Sequence, residues 1–264
     1  MSAAGQPFVA IRDLRMAFGN AQKSVLALDG VSLAVREQEF FSIVGPSGCG
    51  KSTLLLLIAG LLSPSGGELL IRGRALSGPY TEAAVIFQQD NLLEWRTVLA
   101  NVVLPAEIRG LPLSTYRQRA LELLDLVGLR GFDHHYPHQL SGGMRQRAAL
   151  CRALLCDLPL LLMDEPFGAL DALTREEQQL MLQRIWLQDQ KTVVFVTHDI
   201  REAILLSDRV AVMSPRPGII HEVVPIDLPR PRARELTETV EFNRYVGHLR
   251  RGLEGAHAPI PMEG

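Results

Sequence analysis

The sequence predicts an α/β fold: a parallel β-sheet covered by helices, with an antiparallel β segment at its start and a helical subdomain inserted into it. Short apolar runs alternate with helical stretches before residue 90 and again after residue 156, as in parallel sheets. Residues 8–35 have the pattern of two antiparallel strands, and residues 91–155 have helical spacing. The 264 residues therefore predict one domain, with a core of 8–90 and 156–224, a helical subdomain of 91–155 and a tail of 225–264.

Each element has its own sequence pattern. Short, wholly apolar runs predict buried strands, and apolar residues at helical spacing predict helices. Ser114 is predicted to cap a helix that carries Leu121, Leu124 and Val127 and ends at Gly128. The predicted strands are 8–18, 26–35, 40–44, 68–71, 84–87, 160–163, 192–196 and 210–213, and the other predicted helices are 53–59, 174–190, 201–206 and part of the tail.

Residues 45–52 have the sequence of a phosphate-binding loop. They follow the apolar run 40–44 and precede a helix-prone stretch, which is the setting of the motif G-x-x-x-x-G-K-[ST]. Glycines let several backbone N–H groups face one phosphate chain, and the N-terminus of the next helix attracts its charge. The motif predicts a bound nucleoside triphosphate, with Lys51 reaching the outer phosphates and the Ser52 hydroxyl on Mg²⁺. The candidate binding residues are Gly45, Pro46, Ser47, Gly48, Cys49, Gly50, Lys51, Ser52 and Thr53.

Polar residues follow three of the predicted strands. Asp164 and Glu165 end the run 160–163, at the edge where open α/β sheets bind ligands. Asp164 is predicted to hold Mg²⁺ through water, and Glu165 to accept a proton from an attacking water or to orient it. Gln88 is predicted to touch Mg²⁺ or that water, with a solvated turn residue as the alternative. His198 can donate to a γ-phosphate oxygen, with a structural histidine as the alternative.

A second anion site is predicted at residues 140–147. Ser141 is followed by Gly142, Gly143 and Met144 and then by a helix-prone stretch, which gives a capped helix N-terminus with exposed N–H groups. One triphosphate does not need two such sites. The economical explanation is that this second site completes a nucleotide pocket across a dimer.

With these motifs in place, the chain resembles the ATP-binding cassette (ABC) transporter ATPases over nearly its whole length. The resemblance is specific because six motifs agree in order and spacing: Gly45 to Ser52 with Walker A, Gln88 with the Q-loop, Leu140 to Arg147 with the signature, Leu160 to Glu165 with Walker B, Ala169-Leu170-Asp171 with the D-loop, and Thr197-His198-Asp199 with the switch histidine. Residues 91–98, 166–175 and 214–218 are similar to the ATPase subunits of bacterial nitrate, sulfonate and taurine importers.

The resemblance implies a P-loop NTPase (RecA-like) core and a head-to-tail homodimer with ATP and Mg²⁺ between the subunits. One subunit supplies Walker A and its partner supplies Ser141 and Gly143. Glu165 is then the catalytic carboxylate, His198 the γ-phosphate partner, and Asp171 a link between the two sites. Phe18 falls where such proteins stack an aromatic side chain, usually tyrosine, on adenine; a core strand residue is the alternative.

The resemblance also implies a place in the cell. The expected protein lies in the cytoplasm on the inner face of a bacterial cell membrane and drives a separate membrane permease, with a solute-binding protein as an indirect partner. The starting residues show no export signal, and no apolar run approaches the roughly 18 residues that span a bilayer. Three cysteines without paired spacing suit a reducing compartment.

Two other functions compete with this interpretation. A soluble ABC protein acting on nucleic acid or ribosomes is the main alternative, but a net charge of −2 offers no footprint for nucleic acid. A small-molecule kinase would use the phosphate loop but has no use for residues 140–147. The transported solute cannot be inferred from this subunit.

Four further local patterns are interpreted, three of them with an alternative. Residues 134–138 contain three histidines but are predicted to be a solvated linker and not a metal site. Arg230, Arg232 and Arg234 are predicted to be a solvated tail segment, with lipid headgroups or the permease as the alternative. Trp186 is expected to pack inside. Leu92, Leu93 and Trp95 are predicted to dock the permease, with ordinary packing as the alternative.

Overall fold

The computed structural model describes residues 6–20, 23–168 and 170–256. Within these ranges the strands are β1 Val9–Asn20, β2 Lys23–Val35, β3 Phe40–Val44, β4 Gly66–Ile71, β5 Arg74–Ala75, β6 Ala83–Ile86, β7 Leu160–Asp164, β8 Thr192–Thr197, β9 Arg209–Met213 and β10 Ile220–Pro225. The α-helices are α1 Lys51–Ile58, α2 Val98–Ile108, α3 Leu113–Leu126, α4 Gly142–Leu154, α5 Ala172–Asp189, α6 Ile200–Leu206 and α7 Val240–Gly255. Two short 3-10 helices lie at Pro137–Gln139 and Arg234–Glu238.

The strands form two sheets. The larger has the order β10-β9-β3-β8-β7-β6 and is parallel apart from β10, which runs antiparallel to β9. Every residue of β3 and β8 is buried, as a strand covered on both faces requires. The smaller sheet, β2-β1-β4-β5, is antiparallel. The predicted parallel core and antiparallel first segment are therefore both confirmed. The sequence did not predict the strand β10.

The register of the parallel strands aligns their carboxyl ends. Val44 of β3 pairs with Thr197 of β8, Asp164 of β7 pairs with Val196 of β8, and Ile86 of β6 pairs with Met163 of β7. The phosphate loop and the residues that follow β6, β7 and β8 consequently leave the sheet at the same edge. This edge is where the candidate site lies.

The inserted subdomain is built from α2, α3 and α4, which pack on one another through a buried apolar cluster. A buried asparagine, Asn101, organises the segment that enters it: its side chain accepts from the N–H of Leu93 at 2.7 Å and donates to the carbonyls of Leu93, Arg96 and Thr97 at 3.0 to 3.1 Å. The buried amide therefore fixes the path of residues 93–97.

The predicted start of the helix near Ser114 is wrong. The N-cap is Pro112, whose carbonyl accepts from the N–H of Thr115, and α3 already includes Leu113 and Ser114. The ring of Pro112 holds its φ at −64°, which suits the entry to a helix without a side-chain cap. The predicted end is confirmed, because Gly128 follows the helix with a φ of +71°.

The tail does not behave as a solvated segment. Phe242 and Leu249 of α7 are buried against a cluster that includes α6 and β9. The prediction that the arginine cluster is solvated is wrong for two of its members. Arg230 bonds Asp208 at 2.8 Å and lies over the Trp186 ring, and Arg232 is 1% exposed.

Arg232 closes the C-terminal end of α6. Its guanidinium donates to the carbonyls of Ser207 at 2.7 Å, Ile226 at 3.0 Å and Leu228 at 3.2 Å, and also to that of Ile204. The last carbonyls of a helix lack intrahelical donors, so a buried guanidinium satisfies groups that would otherwise be unpaired. The expected burial of Trp186 is confirmed, at 7% exposure. No helix among the described residues has the length and apolar content needed to cross a membrane.

Candidate nucleotide-binding site

The phosphate loop connects β3 to α1, and its glycines are required by close contacts. A Cβ on Gly45 would lie 2.8 Å from Cys49 Sγ and 3.0 Å from the Met213 carbonyl oxygen. Gly50 has a φ of +107°, and a Cβ there would lie 2.6 Å from Leu28 Cδ2. Gly50 is also the N-cap of α1 and has no side chain to bond the first N–H groups of the helix. Those N–H groups are thus available to an anion.

We expect Gly50→Ala to weaken nucleotide binding at least about tenfold, because the new methyl group displaces Leu28 and strains the loop. Titration of a fluorescent nucleotide measures the change in Kd. Gly131→Ala is the matched control, since Gly131 also has a positive φ, +84°, but no described atom lies within 4 Å of its Cβ position. Equal Kd values for the two variants would contradict the proposed role of this loop.

Lys51 is buried within the loop that precedes it. Its Nζ donates to the carbonyls of Gly45 at 2.9 Å and Pro46 at 3.0 Å, and lies 3.9 Å from Glu165 Oε1. Cys49 is buried beside it, and burial raises the pKa of its thiol. Burial also raises the pKa of Cys151 to about 12. These two thiols are therefore protonated packing groups at neutral pH, as expected.

The predicted metal ligands come together at the end of β7. The Ser52 hydroxyl donates to Asp164 Oδ1 at 3.0 Å, and Gln88 lines the adjoining cleft. Burial is the main cause that raises the pKa of Asp164. A hydroxyl, a carboxylate and an amide oxygen are hard donors that suit Mg²⁺. The residues fit the predicted ion, although the described residues hold no cluster of three or more His, Cys, Asp or Glu side chains for a metal.

Glu165 and His198 form a hydrogen-bonded pair. His198 Nδ1 lies 2.9 Å from Glu165 Oε2, and an ionised carboxylate only accepts, so Nδ1 carries the proton. Glu165 has a φ of +45°, and its N–H donates to the Val196 carbonyl of β8 at 2.9 Å. The neighbouring strand therefore holds a left-handed turn that a glutamate rarely adopts, as at many functional sites.

A buried network connects this edge of the sheet to α5. The Glu202 carboxyl accepts from Thr197 Oγ1 at 2.6 Å and from Gln179 Nε2 at 3.0 Å, and burial is the main cause that raises its pKa. Asp171 caps α5 by accepting from the Thr174 N–H at 3.0 Å, and this bond lowers the pKa of Asp171. Its predicted role between two sites stays a prediction. Ala169, part of the same motif, lies outside the described residues.

The cleft at this edge has a volume of about 370 Å³. Phe18 is 43% exposed and lines it, so the alternative of a core strand residue is wrong. Arg216 also lines the cleft and was not predicted, because no local pattern ties it to the phosphate loop. The lining comprises Phe18, Val25, Ala27, Ser47, Gly48, Gly50, Lys51, Ser52, Thr53, Gln88, Glu165 and Arg216. A larger cavity of about 730 Å³ at residues 71–82 contains none of the predicted residues.

The second anion site lies apart from this cleft. Ser141 caps α4 by accepting from the Met144 N–H at 3.3 Å, as predicted. Gly143 is close to the start of α5, since its Cβ position is 3.0 Å from Thr174 Cγ2. Among the described residues that line the cleft, none belongs to 141–144. A single chain therefore brings together the phosphate loop, Gln88, Asp164, Glu165 and His198, but not the residues of the second site.

The family model "ABC transporter" matches residues 28–168, more than half of the chain. The chain belongs to the ABC transporter family. It is an ATP-hydrolysing subunit of such a transporter, and the predicted family, fold and enzyme class are confirmed.

Three relatives illustrate the match. An ABC transporter ATP-binding protein of Methanocaldococcus jannaschii is 50% identical, over 84% of this chain and 83% of its own. A taurine import ATP-binding protein of Roseobacter denitrificans is 46% identical, over 75% and 74% of the two chains. An aliphatic sulfonates import ATP-binding protein of Bacillus licheniformis is 42% identical, over 86% and 88%. None of these names supports the alternative of a protein acting on nucleic acid.

A solved structure has the same fold. The ATP-binding cassette MJ0796, a dimer in a post-hydrolysis state bound to ADP and Pi, is 35% identical with a TM-score of 0.74. The match covers 84% of this chain and all of that one. The solvated linker predicted at 134–138 is confirmed only in part: His134 and His138 are exposed, whereas Pro137 is buried and the His135 ring packs beside Phe132.

Proposed function

We propose that the protein is the ATP-hydrolysing subunit of an importer for a sulfonate-type solute, and that it works as a homodimer with two shared ATP sites. The observation that best supports a shared site is that the cleft contains the phosphate loop, Gln88 and Glu165 but lacks the capped N-terminus of α4. The import function and solute class are supported by the names of the taurine and aliphatic sulfonate relatives.

The residues at the cleft divide the work of phosphoryl transfer to water. The N–H groups of 45–53 and Lys51 bind and neutralise the phosphates, and Phe18 supports the adenine. Glu165 accepts the proton of the attacking water, and His198, whose Nδ1–H donates to Glu165 here, would donate that hydrogen to a γ-phosphate oxygen once ATP is bound. Ser52 and Gln88 would hold Mg²⁺ directly and Asp164 through water. When bound, Mg²⁺ neutralises the charge that develops on the phosphate oxygens.

The proposed dimer explains why the cleft of one subunit contains none of residues 141–144. Ser141 and Gly142 are exposed, and Gly143 lies against the start of α5 rather than in its own cleft. A head-to-tail pair would place this capped helix end over the partner's nucleotide, where its N–H groups meet the phosphate charge. The dimeric state of the MJ0796 cassette supports this arrangement.

We expect Ser141→Arg to abolish ATP hydrolysis while leaving the Kd for ATP within about threefold of wild type, because the bulky cation obstructs only the partner's cleft. Phosphate release and nucleotide titration measure the two quantities. Ser114→Arg makes the same change at an exposed serine in the first turn of α3 and should be active. Loss of ATP binding in Ser141→Arg would contradict a cleft shared between subunits.

The permease partner is proposed to dock near residues 92–95. Trp95 is 75% exposed, as a docking residue must be, whereas Leu92 is 7% exposed and packs into the subdomain. Of the three residues predicted to dock the permease, the proposal therefore keeps Trp95 and the surface around it. A permease would hold the protein on the inner face of the cell membrane, and a solute-binding protein would deliver the solute from the other side.

Growth tests the solute class. A strain lacking the gene should fail to grow on taurine or an alkanesulfonate as sole sulfur source and should grow normally on sulfate. A plasmid copy of the wild type should restore growth, and a Glu165→Gln copy should not. Normal growth on sulfonates combined with failure on nitrate as nitrogen source would contradict the sulfonate assignment and favour a nitrate importer.

A further inference from the structure

We propose that Arg216 is a nucleotide-binding residue that contacts the base and ribose of ATP beside Phe18. This inference rests on the proposed ATP site and adds a specificity contact to it. Arg216 belongs to the loop 214–219 between β9 and β10, which no sequence pattern assigned to the site.

The loop is fastened to the strand that forms one side of the cleft. The Gly218 N–H donates to the Ala27 carbonyl at 2.9 Å, and the Asp29 N–H donates to the Gly218 carbonyl at 3.1 Å. A Cβ on Gly218 would lie 2.2 Å from the Cys49 carbonyl oxygen, so the loop also touches the phosphate loop. Residues 214–219 are thus held between β2 and the phosphate loop.

A buried serine fixes the conformation of the loop from inside. Ser214 Oγ accepts from the Ile219 N–H at 3.0 Å and lies 3.0 and 3.2 Å from the carbonyl oxygens of Pro215 and Pro217. The Ser214 N–H donates to the Ile219 carbonyl at 3.0 Å. These hydrogen bonds within the loop fix its backbone, and therefore the position of the Arg216 backbone.

Arg216 lies at the nucleoside end of the cleft. The loop is bonded to Ala27, and Ala27 lies on β2 two residues after Val25, which pairs with Phe18. All four residues line the cleft. Gln88 and Glu165, which would face the last phosphate, follow β6 and β7 in the other half of the sheet, beyond β3 and β8.

The guanidinium of Arg216 is free to bind a ligand. Arg216 is exposed, and across residues 6–20, 23–168 and 170–256 no side chain or carbonyl forms a hydrogen bond or ion pair with it. A planar, weakly hydrated cation next to an exposed aromatic ring can stack on a purine and donate to the ribose hydroxyls. The combination of a rigid loop, an unused guanidinium and Phe18 on the same wall points to the nucleoside as the contact.

The test distinguishes a contact with the nucleoside from a contact with the phosphates. Affinities of Arg216→Ala for ATP and for inorganic tripolyphosphate are measured by displacement of a fluorescent nucleotide. We expect the Kd for ATP to rise about tenfold and that for tripolyphosphate to stay unchanged. Arg216→Lys keeps the charge but loses the planar group, so it should resemble Arg216→Ala. Arg250→Ala, at an exposed arginine of α7, should bind both ligands like the wild type.

Three results would overturn the inference: an unchanged Kd for ATP, an equal loss for tripolyphosphate, or full recovery in Arg216→Lys. An equal loss for tripolyphosphate, or full recovery in Arg216→Lys, would indicate that Arg216 binds the phosphates through its charge. The proposed function fails separately, if the wild type does not bind ATP or if Lys51→Ala binds it equally well. Thermal unfolding of each variant confirms that the exposed substitution leaves the fold intact.

Discussion

Replacing Glu165 with glutamine should lower the rate of ATP hydrolysis at least about a hundredfold, the usual contribution of a general base. The amide cannot take up a proton, but its size is the same and its oxygen can still accept from His198 Nδ1, which now lies 2.9 Å from the carboxylate. Nucleotide binding should therefore survive. With hydrolysis blocked, ATP should hold two copies together.

Two measurements check this result. Phosphate release gives the loss of turnover, and light scattering after gel filtration with Mg-ATP gives the oligomeric state. Glu122→Gln, at an exposed glutamate of α3, is the control and should turn over like the wild type and remain monomeric after hydrolysis. If Glu165→Gln hydrolyses ATP at the normal rate, another group accepts the proton of the attacking water. If the variant stays monomeric with ATP, the proposal of a cleft shared between two subunits is wrong.

Replacing Arg232 with methionine should lower the free energy of unfolding by about 3 to 5 kcal/mol. Methionine fills much of the space but donates nothing, so the carbonyls of Ser207, Ile226 and Leu228 remain buried without their donor. Burial lowers the pKa of Arg232 to about 10, so the guanidinium is still charged at neutral pH.

Urea unfolding at fixed temperature measures this loss. Arg234→Met makes the same change two residues later, where the side chain is 62% exposed and pairs with Glu176 at 2.7 Å. An exposed pair contributes about 1 kcal/mol or less, so Arg234→Met should unfold close to the wild type. Similar unfolding midpoints for the two variants would show that Arg232 does not stabilise the end of α6.

Much of the candidate site could be predicted because its information is local. The phosphate loop is a contiguous motif, and Asp164, Glu165 and His198 directly follow apolar runs. The rule that parallel strands end at the same edge then places these side chains together, as the pairing of Asp164 with Val196 and of Val44 with Thr197 shows.

What the sequence concealed depends on contacts between distant segments. Arg232 is predicted to be solvated because the surrounding segment 229–234 is rich in proline and arginine, yet the partners of its guanidinium lie 4 to 28 positions away and Gln183 lies 49 positions away. Arg216 enters the cleft only because its loop bonds to β2. The start of α3 was misplaced for a simpler reason: the fixed φ of Pro112 serves as well as a serine cap.

The segment that follows Gln88 is hydrogen-bonded to α4, the helix that Ser141 caps. Arg152 of α4 donates to the carbonyls of Asp90 and Asn91, both at 2.7 Å, and Arg145 of α4 bonds the Asp90 carboxylate at 3.0 Å. Neither end of this unit can shift alone. In the proposed dimer, a displacement of Gln88 when a nucleotide enters or leaves would also move α4, which faces the other subunit, so the two nucleotide pockets would be coupled.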